Sequence, residues 1–248
     1  MWLLRQSVFG RRQFLAALGA APAIHAADWK SDAFPNWSDD TVLRLLVDSP
    51  WARRKQVPLI WYKPADRPFT YKDVPGSEAG KPVSPPTPGG AGPIGGVGVP
   101  KQTLPNQADL IIRWSSALPV RQARALYKQR DEKLEAGRIP ELVGTKPETY
   151  VLEIFGLPAI MAHVGADAVE AKFAETAWLR ARNGPARKPV RVEANVQGLT
   201  MSVMIHFSRT PAITPDAREV ECFADGDIFQ IKERFKLGAM RYGGALEI

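Results

Sequence analysis

The run Val190-Arg191-Val192-Glu193-Ala194-Asn195-Val196 alternates apolar and polar residues without a break, and it restricts this chain more than any other feature. A side chain on an extended backbone points to opposite faces at successive residues, so a period of two means a strand with one face buried. Gln197-Gly198 follows as a turn, and Leu199 to Phe207 returns as a second strand. Val220 to Phe223 and Ile228 to Phe235 flank Ala224-Asp225-Gly226-Asp227, where Asp-Gly is a strong short hairpin signal. Arg241 to Ile248 reads as a last edge strand. Strands that follow one another with short turns pair antiparallel.

Helical spacing is confined to three places. Ser38 with Asp39 and Asp40 starts the first helix, a hydroxyl cap followed by carboxylates where the helix dipole favours them. Val42, Leu43, Leu45 and Leu46 form its apolar face, and Asp48-Ser49-Pro50 stops it. Val57 to Tyr62 then reads as a strand, and Leu110 to Trp114 as another. Val120 to Glu135 is rich in strong helix formers, and the mixed charges of Lys128 to Glu135 read as its solvated face. Tyr150 to Phe155 is a buried-type strand. Asp167 to Arg182 reads as a third helix, with Val169, Phe173, Ala177 and Trp178 inward. The fold class is therefore α+β: one domain, mainly antiparallel sheet, with two to three helices. Its parts are a leader at 1–26, a helix-strand unit at 27–63 docking on the main domain, an insert at 64–105 and the main α+β domain at 106–248.

The insert differs in kind. Pro64 to Pro105 carries ten prolines and eight glycines, and such a composition buries too little apolar surface to offset ordering entropy, so it reads as a flexible loop. Its formal GxGxxG at Gly90, Gly92 and Gly95 lacks a preceding strand, contains Pro93 and opens no helix, so it is no dinucleotide fingerprint.

The N-terminal segment GRRQFLAALGAAPAIHA has the order of a twin-arginine export signal: Arg11 and Arg12, then Phe14 and Leu15, a short apolar stretch and a small-residue exit at Ala26. Ala21-Pro22-Ala23 is a second possible exit. About 11 mostly apolar residues from Phe14 to Ile24 fall short of the roughly 20 that span a bilayer. The expected product is a periplasmic or extracellular protein with no stable membrane span. Formal net charge is +7, from 33 Lys+Arg against 26 Asp+Glu. The leader holds three arginines and no acid, so its removal leaves a mildly basic chain, well short of a nucleic-acid footprint. Cys222 is the lone cysteine and cannot form an internal disulfide, so the core alone must hold the fold. Its alternating surroundings make it a small core residue.

Three strings, SDDTVLRLLVDSPWARR (Ser38 to Arg54), IRWSSALPVRQA (Ile112 to Ala123) and DGDIFQIKERFKLGAMRYGG (Asp225 to Gly244), resemble an uncharacterised family of exported bacterial proteins. The order of the strings is the same, with a variable Gly/Pro-rich insert between the first two. The resemblance implies one shared domain and a disposable insert. It carries over no catalytic residue.

Chemistry-bearing residues are few. Outside the leader only His163 and His206 remain, and with Asp167 they are the weak candidates for a hydrolase or metal-dependent enzyme. No HExxH, zinc-spaced Cys/His pair or GxSxG elbow occurs, so no metal or cofactor is expected. The competing reading makes His206 a half-buried strand residue and Asp167 a helix cap. Trp37, Trp51 and Trp61 gather before the insert, either as a binding platform or as core joining the first unit to the sheet. Arg53-Arg54-Lys55 reads as a solvated run. The leading expectation is a non-enzymatic envelope domain that binds a protein or polysaccharide, with the export machinery as its transient partner.

Overall fold

The structure is a computed structural model that describes residues 29, 33–61, 104–131, 136–144 and 146–248. The expected leader residues Arg11, Arg12, Phe14, Leu15 and Ala26 lie outside the described residues, as do residues 62–103, with most of the expected insert, and the expected helix end at 132–135.

Helix α1 is Asp39–Val47, and its cap is Ser38, whose Oγ accepts from the Thr41 N–H at 3.2 Å. Ser49 closes it, with its hydroxyl donating to the Leu45 carbonyl at 3.0 Å. Strand β1, Ala52–Pro58, pairs antiparallel with β2, Gln107–Trp114. Helix α2 is Leu118–Asp131 and the short α3 is Ile139–Val143. They precede β3, Thr149–Pro158. Helix α4, Ala166–Thr176, leads into β4, Trp178–Ala181, and β5, Ala186–Arg187. Two hairpins follow: β6, Pro189–Gln197, with β7, Thr200–Ser208, and β8, Glu219–Asp225, with β9, Gln230–Lys236. A two-residue pair, β10 at Arg241–Tyr242 and β11 at Ala245–Leu246, closes the chain.

These strands build two antiparallel sheets, a five-stranded one in the order β1-β2-β3-β7-β6 and a four-stranded one in the order β5-β4-β8-β9. The α+β class with antiparallel pairing is observed. The sheets lie face to face: Ile112, Leu152 and Ile205 of the first meet Cys222, Ala224 and Ile231 of the second around a small cavity. Trp114 and Phe235 meet edge to face across this core, 5.9 Å between centroids. Near β1 and β9 the sheets are stitched by Lys55 Nζ donating to the Lys232 carbonyl at 2.8 Å and Ile60 N–H donating to the Ile228 carbonyl at 2.7 Å. In β3, Gly156 makes a bulge at φ 95°, where a Cβ would sit 2.5 Å from the Asp109 carbonyl oxygen. Only glycine fits there.

Four sequence readings are corrected. The strand after α1 is ARRKQVP rather than Val57 to Tyr62. As an edge strand it tolerates cationic side chains whose stems lie along the sheet. The third helix stops at Thr176, and Trp178 to Ala181 is strand, with Ala177 already extended at ψ 150°. Trp178 therefore faces away from the inter-sheet core. The Arg241 to Ile248 segment makes its own small hairpin instead of extending a main sheet. Finally, the 197–200 connection is a two-residue loop with Gly198 first, at φ 58°, as the hairpin twist requires.

Candidate ligand-binding face

Most polar clusters in the molecule serve the fold. The first sheet turns Arg113 and Glu153 away from the inter-sheet core, directly opposite each other in register. Glu153 is 5% exposed and takes a bidentate pair from Arg113, Nε and Nη2 each at 2.9 Å, with Ser115 Oγ at 2.5 Å and Arg124 of α2 completing its shell. Burial alone would push this carboxyl up. The two guanidinium groups and the Ser115 hydroxyl outweigh it and hold the group far below the usual carboxylate range. Arg113 and Ser115 belong to the IRWSSALPVRQA string, and their task here is to hold a buried carboxylate.

The structure does not assemble the three enzyme candidates. His206, buried on the outward face of β7, contacts Thr149 Oγ1 at 3.0 Å, Arg191 Nη2 at 3.3 Å and Glu193 Oε2 at 3.7 Å. Burial lowers its pKa, Arg191 adds to the shift and Glu193 opposes it. Neither His163 nor Asp167 is among these partners. His163 is exposed in the 3-10 turn Ala159–Val164, and Asp167 is exposed in the first turn of α4, whose cap is Gly165 without a side-chain bond. The capping role read for Asp167 is corrected accordingly. Among the described residues no group of three His, Cys, Asp or Glu side chains could hold a metal. Cys222 is core, and burial pushes its thiol up to about 12.

The aromatic platform is corrected too. Trp37 and Trp51 are fully buried, because each fills the junction of the first unit with the rest of the fold. Trp37 meets Tyr242 edge to face, and Trp51 Nε1 donates to the Glu247 carbonyl at 2.6 Å. Trp61 is half-buried, and its indole N–H donates to the Pro105 carbonyl at 2.5 Å. It closes the base of the insert.

A different surface is open. The outward face of the second sheet is laid out in rows by strand register. Trp178 of β4 stands opposite Phe223 of β8, which stands opposite Lys232 of β9. In the next row Arg180, Glu221 and Arg234 align. In the third, Arg182 N–H donates to the Glu219 carbonyl at 2.9 Å, and Glu219 pairs with Lys236. Trp178 and Phe223 stack at 5.6 Å, and the Arg180 guanidinium lies 4.9 Å from the Trp178 ring. Glu221, 8% exposed at its side chain, accepts from Arg180 at 2.6 Å, Arg234 at 3.1 Å and Lys232 at 3.3 Å. Burial pushes its carboxyl up, and the hydrogen bonds from Arg180, Arg234 and Lys232 bring it down to about 2.

At the Glu219 end of this face lies an open basin of about 430 Å³, lined by Arg182, Arg218 and Lys236 around Glu219. None of these three cations has a side-chain partner among the described residues. Glu219 is itself 3.7 Å from Arg234. The basin is therefore a concave, water-facing surface with cations to spare. It suits binding an anion and offers no nucleophile or paired acid and base for catalysis.

The basin escaped the sequence reading because Trp178 to Arg182 was absorbed into a helix. Its signal is Leu179-Arg180-Ala181-Arg182, which alternates apolar and polar at period two. Arg218 carries no local signal, since it reaches the basin through the turn after Pro215–Ala217. Among the described residues no helix is long and apolar enough to cross a membrane. Comparison with protein-family models, curated proteins and solved structures found no match.

Proposed function

We propose that this chain is an exported, non-catalytic binding domain of the bacterial envelope, and that the outward face of its second sheet takes up an acidic polysaccharide. The observation that carries the reading is the grouping of Arg182, Arg218 and Lys236, without side-chain partners among the described residues, around one basin. Cations gathered at the end of this face attract a polyanion before contact and hold it with salt-dependent strength. The export half rests on Arg11, Arg12, Phe14, Leu15 and Ala26.

Affinity electrophoresis tests the binding half. Gels containing polygalacturonate or dextran phosphate should retard the protein, while neutral dextran should not, and added salt should weaken the retardation. Arg182→Gln with Lys236→Gln, both exposed, should leave the melting temperature within a few degrees of wild type and reduce retardation at least about tenfold, as expected when exposed ionic contacts of about 0.2–1 kcal/mol act at several sites on one polymer. Equal retardation of this variant and the wild type would refute the surface assigned here.

A further inference from the structure

We propose that the group read by the basin is a phosphomonoester carried on a sugar-sized body. This rests on the anionic-ligand reading of the face and adds the ligand class. Charge, geometry and backbone conformation all point to it. The first is charge. Three cations and one carboxylate leave the basin with a formal surplus of two positive charges, and a phosphomonoester carries about −1.5 to −2 at neutral pH. A uronic carboxylate is satisfied by one guanidinium and would leave two cations unanswered.

The second is geometry. The cations come from three separate elements: Arg182 just after β4, Arg218 after the Pro215–Ala217 turn, and Lys236 at the end of β9. Several donors around one basin can share the oxygens of a phosphate, and two of them are the forked guanidinium suited to phosphate. The basin, about 430 Å³ and open to water, has room for a sugar-sized body. Pro215 and Ala239 add apolar surface to its lining.

The third is the backbone of Arg218. It sits at φ 59°, a conformation that a residue with a Cβ seldom adopts. Its N–H donates to the Pro215 carbonyl at 3.0 Å, and its carbonyl accepts from Leu237 at 2.9 Å. Strain of this kind gathers at ligand clamps. Here the turn holds the residue in place, and its side chain lines the basin.

The test uses the full chain and titration calorimetry with glucose 6-phosphate, inorganic phosphate, galacturonate and glucose. Glucose 6-phosphate should bind at least about tenfold more tightly than galacturonate, the ratio that 1.4 kcal/mol produces. It should also bind more tightly than inorganic phosphate, and glucose should not bind. Arg218→Gly is the decisive variant, because glycine accepts the positive φ and the fold should remain as stable as wild type or become more so. It should lose binding at least tenfold. Arg182→Gln should do the same.

Dextran phosphate should retard the protein more than polygalacturonate of equal charge, and glucose 6-phosphate should release it. That release identifies the polymer's phosphate as the source. Galacturonate equal to glucose 6-phosphate, inorganic phosphate equal to or tighter than it, or Arg218→Gly binding as wild type overturns the proposal. If polygalacturonate retards the protein while phosphomonoesters have no advantage, this inference fails and the binding reading stands. If neither polyanion retards it, both fail.

Discussion

Glu153 shows how a single buried charge can be held and what it does for the fold. Its carboxylate accepts from Arg113, Arg124 and Ser115, so its partners arrive from β2, from α2 and from the turn between them. Glu153→Gln keeps the shape and leaves two guanidinium groups without their anion. Breaking a buried pair from one side typically costs about 3–5 kcal/mol, so chemical denaturation should show a loss of about 3 kcal/mol. The pH dependence has a definite sign. Glu153 and Glu221 both have carboxyls lowered by folding, so their contribution is complete above the unfolded value of about 4.3 and is lost as pH falls toward 2. His206 is also lowered, so below about 6.5 the unfolded state takes up a proton more readily and stability again falls with pH. All three slopes agree, and melting temperature should climb from about pH 3 to pH 7. In Glu153→Gln the limb between about pH 4.5 and 3 should be shallower. A wild-type melting temperature that falls with rising pH over this range would contradict the assignment.

At the scale of elements, the connection between β1 and β2 is the most instructive. The two strands pair down to Pro58 opposite Gln107, Leu59 N–H donates to the Asn106 carbonyl at 2.8 Å, and Trp61 bonds Pro105. The chain thus leaves and re-enters the sheet at one point. Replacing residues 62–103 with a two-residue Gly-containing turn should leave the melting temperature at or several degrees above wild type, since loop closure becomes easier by about 0.6 kcal/mol per halving of length, about 2.6 kcal/mol over this change. A variant that fails to fold or melts well below wild type would show that the insert contributes to the structure. The separateness of this segment was legible from its prolines and glycines, and the β6–β7 and β8–β9 hairpins were legible from alternation and Asp-Gly. The β1 and β4 boundaries were not. An edge strand of Arg, Arg and Lys shows little apolar signal, because one side of it meets water. Helix α4 ends without Gly or Pro: Thr176 turns its hydroxyl to the Lys172 and Asp225 carbonyls, a tertiary contact no local pattern announces. The candidate site was lost with that boundary.

At the scale of the molecule, the two sheets share one core, and the first unit is part of it rather than an appendage. Trp37 and Trp51 are fully buried, Trp51 ties the Glu247 carbonyl, and Arg209 reaches the Ile248 carbonyl at 2.8 Å. Distant parts of the chain therefore close on each other through apolar packing and hydrogen bonds, and the single cysteine is buried within the core. Such a domain needs no oxidising compartment to reach its folded state. That property fits the proposed twin-arginine route, which carries proteins already folded. Expressed with residues 1–26 in a bacterium that has this pathway, the chain should be recovered from the periplasm as a protease-resistant domain whose melting temperature is the same with and without reductant. Arg11→Lys with Arg12→Lys should leave the same folded domain in the cytoplasm, because the substitution alters the address and touches none of the core. Wild-type protein retained in the cytoplasm, or export indifferent to the arginine pair, would overturn the export half of the proposed function and leave the basin's ligand chemistry to be judged by its own titrations.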